Sequence, residues 1–250
     1  MSVGAPGFMA VYRREMRAWF TTPLAYIFVA AFAFAAPAFA FNIGRFFDTN
    51  RADLAPLFAY LPWLLMILMP ALAMRAWAEE RDRGTLEVLL SLPVSLSSVA
   101  LAKFAAAWTV AGGALIATFP MWVAVNFLGQ PDNLAIAIAY FGAFLLAGSY
   151  LAVGQALSAA SGSQVTAFVL SALAALLLTM AGLPLVTDTL SGSAPAFLVE
   201  AIAYASALER FSAFERGVVG LPDVVYFLSV IALGVSAGGL LIGTSREAGR

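Results

Sequence analysis

From Asn133 to Thr187 the chain runs 55 residues without a single Asp, Glu, Lys or Arg. Soluble domains do not contain such a stretch, because about one residue in four there is charged. Here only 11% of residues are charged and 62% are hydrophobic, with mean hydropathy +0.92. A soluble chain of 250 residues cannot hide that much apolar surface, and lipid can take it. Inside lipid every backbone polar group must be satisfied within the structure, and helices do this segment by segment. The composition therefore predicts an all-α, polytopic membrane protein forming one transmembrane domain over residues 1–250.

Four further charge-free stretches occur: 27 residues from Ala18 to Gly44, 21 from Leu54 to Met74, 28 from Phe104 to Pro131 and 22 from Val224 to Ser245. A span needs about 20 apolar residues. The 55-residue stretch holds two spans, separated by the run Ser158–Gln164. Six transmembrane helices are thus expected at 24–41, 55–74, 100–127, 134–157, 165–186 and 224–244. Pro62, Pro70 and Pro120 are expected to bend or interrupt helices, and Gly112-Gly113 to admit a neighbour closely. The polar residues at depth are Thr109, Thr118, Asn126, Ser149, Gln155, Ser171 and Thr179, read as helix–helix contacts. The first apolar stretch follows arginines and contains Ala38-Phe39-Ala40, a pattern like a cleavage site. It exceeds the apolar core of about 7–15 residues in a signal peptide, so it is read as a retained span.

Lys and Arg in short loops set orientation. Six spans place both termini on one side, together with nine of these residues: Arg13, Arg14, Arg17, Arg75, Arg81, Arg83, Lys103, Arg246 and Arg250. Arg45, Arg51, Arg210 and Arg216 lie on the other side. Nine against four puts both termini in the cytoplasm.

Three segments outside the spans carry information. In residues 1–22, Phe8, Tyr12, Met16, Trp19 and Phe20 recur at helical spacing, with Arg13, Arg14 and Arg17 opposite. This is the pattern of an amphipathic helix lying in the interface, with Trp19 at headgroup depth. Thr22-Pro23 then turns the chain into the first span. Residues 79–98 form a cytoplasmic loop that opens with Glu79, Glu80, Arg81, Asp82 and Arg83. Gly84 suits a helix stop, Thr85 an N-cap and Glu87 a first turn, and Pro93 stops the short helix that follows. Leu86, Leu89 and Leu90 share one face of it, and that face needs lipid or a partner protein to cover it. Residues 187–223 are too long for a tight turn. With Phe197, Phe211 and Phe214 they read as one or two short helices packed outside the membrane.

The run Arg75-Ala-Trp-Ala-Glu79-Glu80-Arg81-Asp82-Arg83-Gly84-Thr85-Leu86-Glu87-Val88-Leu89-Leu90-Ser91-Leu92-Pro93 resembles the signature of type-2 ABC transporter permeases, approximately E-E-(K/R)-x-x-G-T-x-E-x-L-L-x-x-P. Thr22-Pro23-Leu24-Ala25-Tyr26-Ile27, Leu61-Pro62-Trp63 and Pro70-Ala-Leu-Ala-Met-Arg75 resemble its gliding-motility type. The likeness covers most of the chain to about residue 175; the final third shares only the layout. The resemblance implies a permease subunit of the bacterial inner membrane that pairs with a second or related permease copy and with cytoplasmic ABC ATPase subunits. ATP and Mg would be bound by those partners, with no cofactor in this chain. An auxiliary protein, extracytoplasmic or membrane-anchored, is left open as a further partner. The resemblance also implies that the helix at 8–20 is interfacial, drawing on Tyr12, Arg13, Arg14, Arg17 and Trp19. The short helix after Gly84 would be a coupling helix contacting the ATPase through Glu79, Glu80, Arg81, Arg83, Gly84, Thr85, Leu86, Glu87, Leu89 and Leu90.

Several functions are weighed against this one. The chain has one lysine, Lys103, between Ala102 and Phe104, so it lacks the phosphate-loop lysine motif and is not itself an ATPase of that kind. An ion-coupled secondary carrier needs intramembrane carboxylates or histidines, and the five charge-free stretches have none. An intramembrane protease lacks its base, since histidine and cysteine are absent and no aspartate falls in a span. A net charge of −1 leaves no basic footprint for nucleic acid. A membrane scaffold for an extracytoplasmic machine, driven mechanically by the ATPase, remains the alternative to solute transport.

Overall fold

The computed structural model describes residues 5–47, 52–91, 94–191 and 195–248, and among them every regular element is a helix. The chain begins with α1 (Ala5–Thr21), followed by α2 (Pro23–Asn42). Between them Thr22 is extended, φ −105° and ψ 147°, as a residue before proline prefers, and Pro23 opens α2 where no backbone N–H is needed. Next come α3 (Ala55–Ala73), the short α4 (Ala78–Asp82) and α5 (Leu86–Ser91). The third apolar stretch is two helices, α6 (Leu96–Ile116) and α7 (Phe119–Leu128), parted at Ala117-Thr118 just before Pro120. Then follow α8 (Asn133–Ala160), α9 (Gln164–Met180), α10 (Pro184–Ser191), α11 (Ala196–Tyr204), α12 (Ala207–Glu215) and α13 (Leu221–Ala248).

Among the described residues, five stretches are long and apolar enough to cross a membrane: Pro23–Asn42, Ala55–Asp82, Leu96–Leu128, Asn133–Ala160 and Leu221–Thr244. The sixth expected span is α9, apolar but only 17 residues long, at the short limit of a crossing. It stops at Met180 and restarts as α10 at Pro184, so the expected span 165–186 is broken near its end. The expected break at Ser158 falls later, because α8 continues through Ala160 and the turn is Ser161–Ser163. Of the three prolines only Pro120 sits at a helix break; α3 runs through Pro62 and Pro70 without interruption.

The centre of the bundle is α8, which packs on α13, α3, α9, α12 and α6. It is the most buried long helix, with 72% of its apolar stretch inside the protein against 28% for α2 and 17% for the stretch in α13. The outer two therefore turn residues such as Phe34 and Leu233 away from the protein, 79% and 71% exposed, which only an apolar medium tolerates on this scale. Small residues let α8 be surrounded so closely. A Cβ at Gly154 would lie 2.4 Å from Ala73 Cβ, and one at Gly234 2.6 Å from the backbone C and O of Ala152. Gly112 packs similarly on Phe144, whereas Gly113 faces open space. Gly234→Ala is expected to push α13 off α8 and cost about 1–3 kcal/mol, because the obstacle is backbone and cannot rotate away. A fall in the thermal unfolding midpoint of the purified variant checks this, and an unchanged midpoint would refute it.

The deep polar side chains are bonded between helices. Thr109 meets Tyr12 of α1 at 3.0 Å, Thr118 meets Tyr140 of α8 at 2.9 Å, and Asn126 and Asn133 exchange amide bonds of 3.0 Å. Ser149 donates to Phe227 O of α13 at 3.4 Å, Gln155 to Ala100 O of α6 at 2.8 Å, and Ser171 to Gly154 O at 3.4 Å. Thr179 pairs with Tyr150 at 2.6 Å. Beyond α9, Phe211 and Phe214 are fully buried as α12 packs onto α8 and α9, while Phe197, expected to pack with them, is exposed.

Candidate functional site

The charged run after α3 is fixed from several sides. The chain turns at Met74–Trp77, and the hydroxyl of Ser158, at the end of α8, holds that turn. Ser158 Oγ accepts from the backbone N–H of Trp77 at 3.1 Å and of Ala78 at 3.0 Å, and donates to Met74 O at 3.0 Å. It thus satisfies donors that the first turn of α4 leaves free. Arg81 Nη1 donates to Ser161 O at 2.6 Å, and the backbone N–H of Gln164 donates to Asp82 at 3.3 Å. These bonds tie α4 to the turn between α8 and α9.

The opposite side of α4 faces α1 and α6. Glu79 accepts from Arg75 at 2.6 and 3.1 Å and from Arg83 at 2.6 Å, and the Arg75 guanidinium lies 4.5 Å over the Trp19 ring. Glu80 accepts from Lys103 Nζ and Arg14 Nη2, both at 3.1 Å, and from the Thr85 hydroxyl. Glu15 accepts from the same two donors, Lys103 at 3.1 Å and Arg14 at 2.6 Å. Arg14, Glu15, Lys103 and Glu80 therefore close a ring of alternating charge, contributed by α1, α6 and α4. Lys103 is the buried member, its side chain 3% exposed, with the Trp77 ring 5.6 Å away. Removing an ammonium from water is costly, and two carboxylates within bonding distance offset that cost. A cleft of about 410 Å³ opens between α1 and α5 beside the ring, lined by Arg14, Trp19, Arg75, Glu80, Thr85 and Leu89 among others.

Gly84 separates α4 from α5 at φ +66°, with nothing within 4 Å of where a Cβ would stand. The glycine is there for its backbone angle, not for space. Thr85 accepts the Leu89 N–H through its carbonyl and gives its hydroxyl to Glu80. Two leucines of the apolar face of α5, Leu86 and Leu89, pack against the chain itself. Leu89 is 4% exposed, in a cluster with Val11, Trp77, Val99 and Ile242, and Leu86 packs against the same cluster. For Leu86 and Leu89 this corrects the expectation that lipid or a partner must cover them. What α5 turns outward is Glu87 and Val88, next to exposed Gly84 and Thr85. The backbone of Leu90 belongs to α5, while its side chain and the expected stop at Pro93 lie outside the described residues.

The N-terminal helix forms as expected, with Arg13, Arg14 and Arg17 exposed. Among its described side chains, Val11, which the sequence reading passed over, and Trp19 are buried. Trp19 is covered by protein, under Arg75. Sequence reasoning also missed Lys103, Glu15 and Ser158 as members of this site. One sequence signal could have found the first: a lone lysine in an apolar helix must be paired with an anion.

Residues 9–233 match the family described as ABC-2 family transporter protein. The chain belongs to that family. No curated protein matches it. The matched residues of this ABC-2 family protein take in the ionic ring, the Gly84 break, α5 and the first half of α13 as far as Leu233. Proteins of this family are membrane permeases of ABC transporters and are typically not themselves enzymes.

Proposed function

We propose that this permease couples ATP hydrolysis by separate cytoplasmic ABC ATPase subunits, which bind ATP and Mg, to transport or to mechanical work across a bacterial inner membrane. It works as a dimer with a second or related permease copy. The segment from Glu79 to Leu90 is the coupling site, and α1 is the interfacial helix. The observation that carries this reading is mechanical. The outward residues of α5 sit on a short helix whose base is bonded, through Thr85 and Glu80, to α1 and α6. A push on α5 from the cytoplasm would reach two long helices at once. The nine-to-four distribution of Lys and Arg supports cytoplasmic termini.

The test is copurification of the native complex, with its subunits identified and its ATP hydrolysis measured. Recovery of an ABC ATPase is expected; a complex without one would refute the reading. Orientation has its own check. A cysteine placed at Gly162, in open space in the turn after α8, should label from the cytoplasmic side. One placed at exposed Val218, between α12 and α13, should label from outside. Labelling of both from one side would rule out the topology.

A further inference from the structure

We propose that Lys103 is the positioning residue through which movement of the coupling segment reaches α6, by way of the ring it closes with Glu15, Arg14 and Glu80. This rests on the coupling reading and specifies its route. Three features of the ring bear on it. First, it joins three separate helices through one buried ammonium: Lys103 from α6 bonds Glu15 of α1 and Glu80 of α4, each at 3.1 Å. Second, it is charge-balanced, with two cations and two carboxylates, so it is satisfied only when all three helices keep their relative positions. Third, it is hooked to α5, because the Thr85 hydroxyl donates to the same Glu80 carboxylate. A displacement of α5 must therefore either carry α1 and α6 with it or break bonds to a lysine that has almost no water to replace them.

Lys103 also touches the part of α6 that matters. It lies eight residues beyond the Ser95 cap, about 12 Å along the helix at 1.5 Å per residue. It is flanked by Ala102 and Phe104, which are buried in the protein's two apolar clusters. Its neighbourhood moves as packed core, not as a loose end.

The test uses the complete complex of permease and copurified ATPase. The main variant is the double substitution Lys103→Met with Glu15→Gln. It removes one cation and one anion, and leaves the Arg14–Glu80 bond and the Thr85 hook in place. ATPase recovery should equal wild type. The permease-dependent change in ATP hydrolysis should fall by about tenfold, within the roughly 5–150-fold range of allosteric couplings. Lys103→Arg, which keeps the charge and the donors, should retain most of it. Spin labels on exposed Arg13 of α1 and Leu101 of α6 give a second readout. Their nucleotide-dependent distance change should vanish in the double variant and persist in Lys103→Arg. If the double variant does not fold, Glu15→Gln alone, on α1 and outside the Glu79–Leu90 segment, takes one carboxylate from Lys103 and should diminish the same distance change. Persistence of hydrolysis coupling and of the distance change in the variants would overturn the proposal. Failure to recover any ATPase with wild type would instead overturn the coupling reading beneath it.

Discussion

Val88→Asp is expected to release the ATPase from a permease that stays folded, whereas Leu89→Asp, one residue further along α5, should unfold that end of the permease itself. The two side chains point to different surroundings. Leu89 is 4% exposed and packs against Val11 of α1 and Val99 of α6, among others. Burial of such a leucine is worth about 1.5–3 kcal/mol, and an unpaired carboxylate in its place adds a desolvation cost. A helix of six residues has no stability of its own to draw on. Val88 is 66% exposed, so aspartate there costs the fold little. In a covered contact it would forfeit about 1.5–3 kcal/mol, roughly 10–150-fold in affinity. Recovery of the ATPase with each variant at matched expression, together with the unfolding midpoint of each permease, separates the cases. Equal ATPase recovery with Val88→Asp would show that the outward side of α5 is not the contact. A wild-type midpoint for Leu89→Asp would show that its burial carries no stability.

Ser158→Ala is the second substitution with a large expected effect. One hydroxyl serves three backbone groups of the Met74–Ala78 turn, and Trp77 and Ala78 are both fully buried. Alanine strands two N–H donors, each costing about 1–3 kcal/mol, so the expected loss is about 2–6 kcal/mol. It falls where α4 begins, so the ionic ring loses the wall that positions Glu80. The variant should unfold at clearly lower temperature and show weaker permease-dependent ATP hydrolysis. Ser158→Cys, which keeps a weak donor and acceptor, should fall between. A wild-type midpoint for Ser158→Ala would mean that the turn is held by something other than this hydroxyl.

The sequence by itself determined the class of fold and the family likeness. Charge-free stretches locate spans because a charge in hydrocarbon is too costly to place at random, so composition alone marks the helices of α2, α3, α8 and α13. Gly84 and Pro23 were legible because of their own backbones: proline fixes its φ, and glycine alone takes the positive φ of a helix stop without strain. Tertiary structure alone decided which polar residues do what. Lys103 counted in the sequence only as one more cytoplasmic cation, because its partners Glu15 and Glu80 lie 88 and 23 residues away. Ser158 looked like part of a loop, because helical spacing says nothing of the turn 80 residues earlier that it caps. Leu86 and Leu89 of α5 looked like part of a docking face, because periodicity shows that a face is apolar but not what covers it. That was settled by where α1 and α6 pass, which is a property of packing between segments distant in sequence.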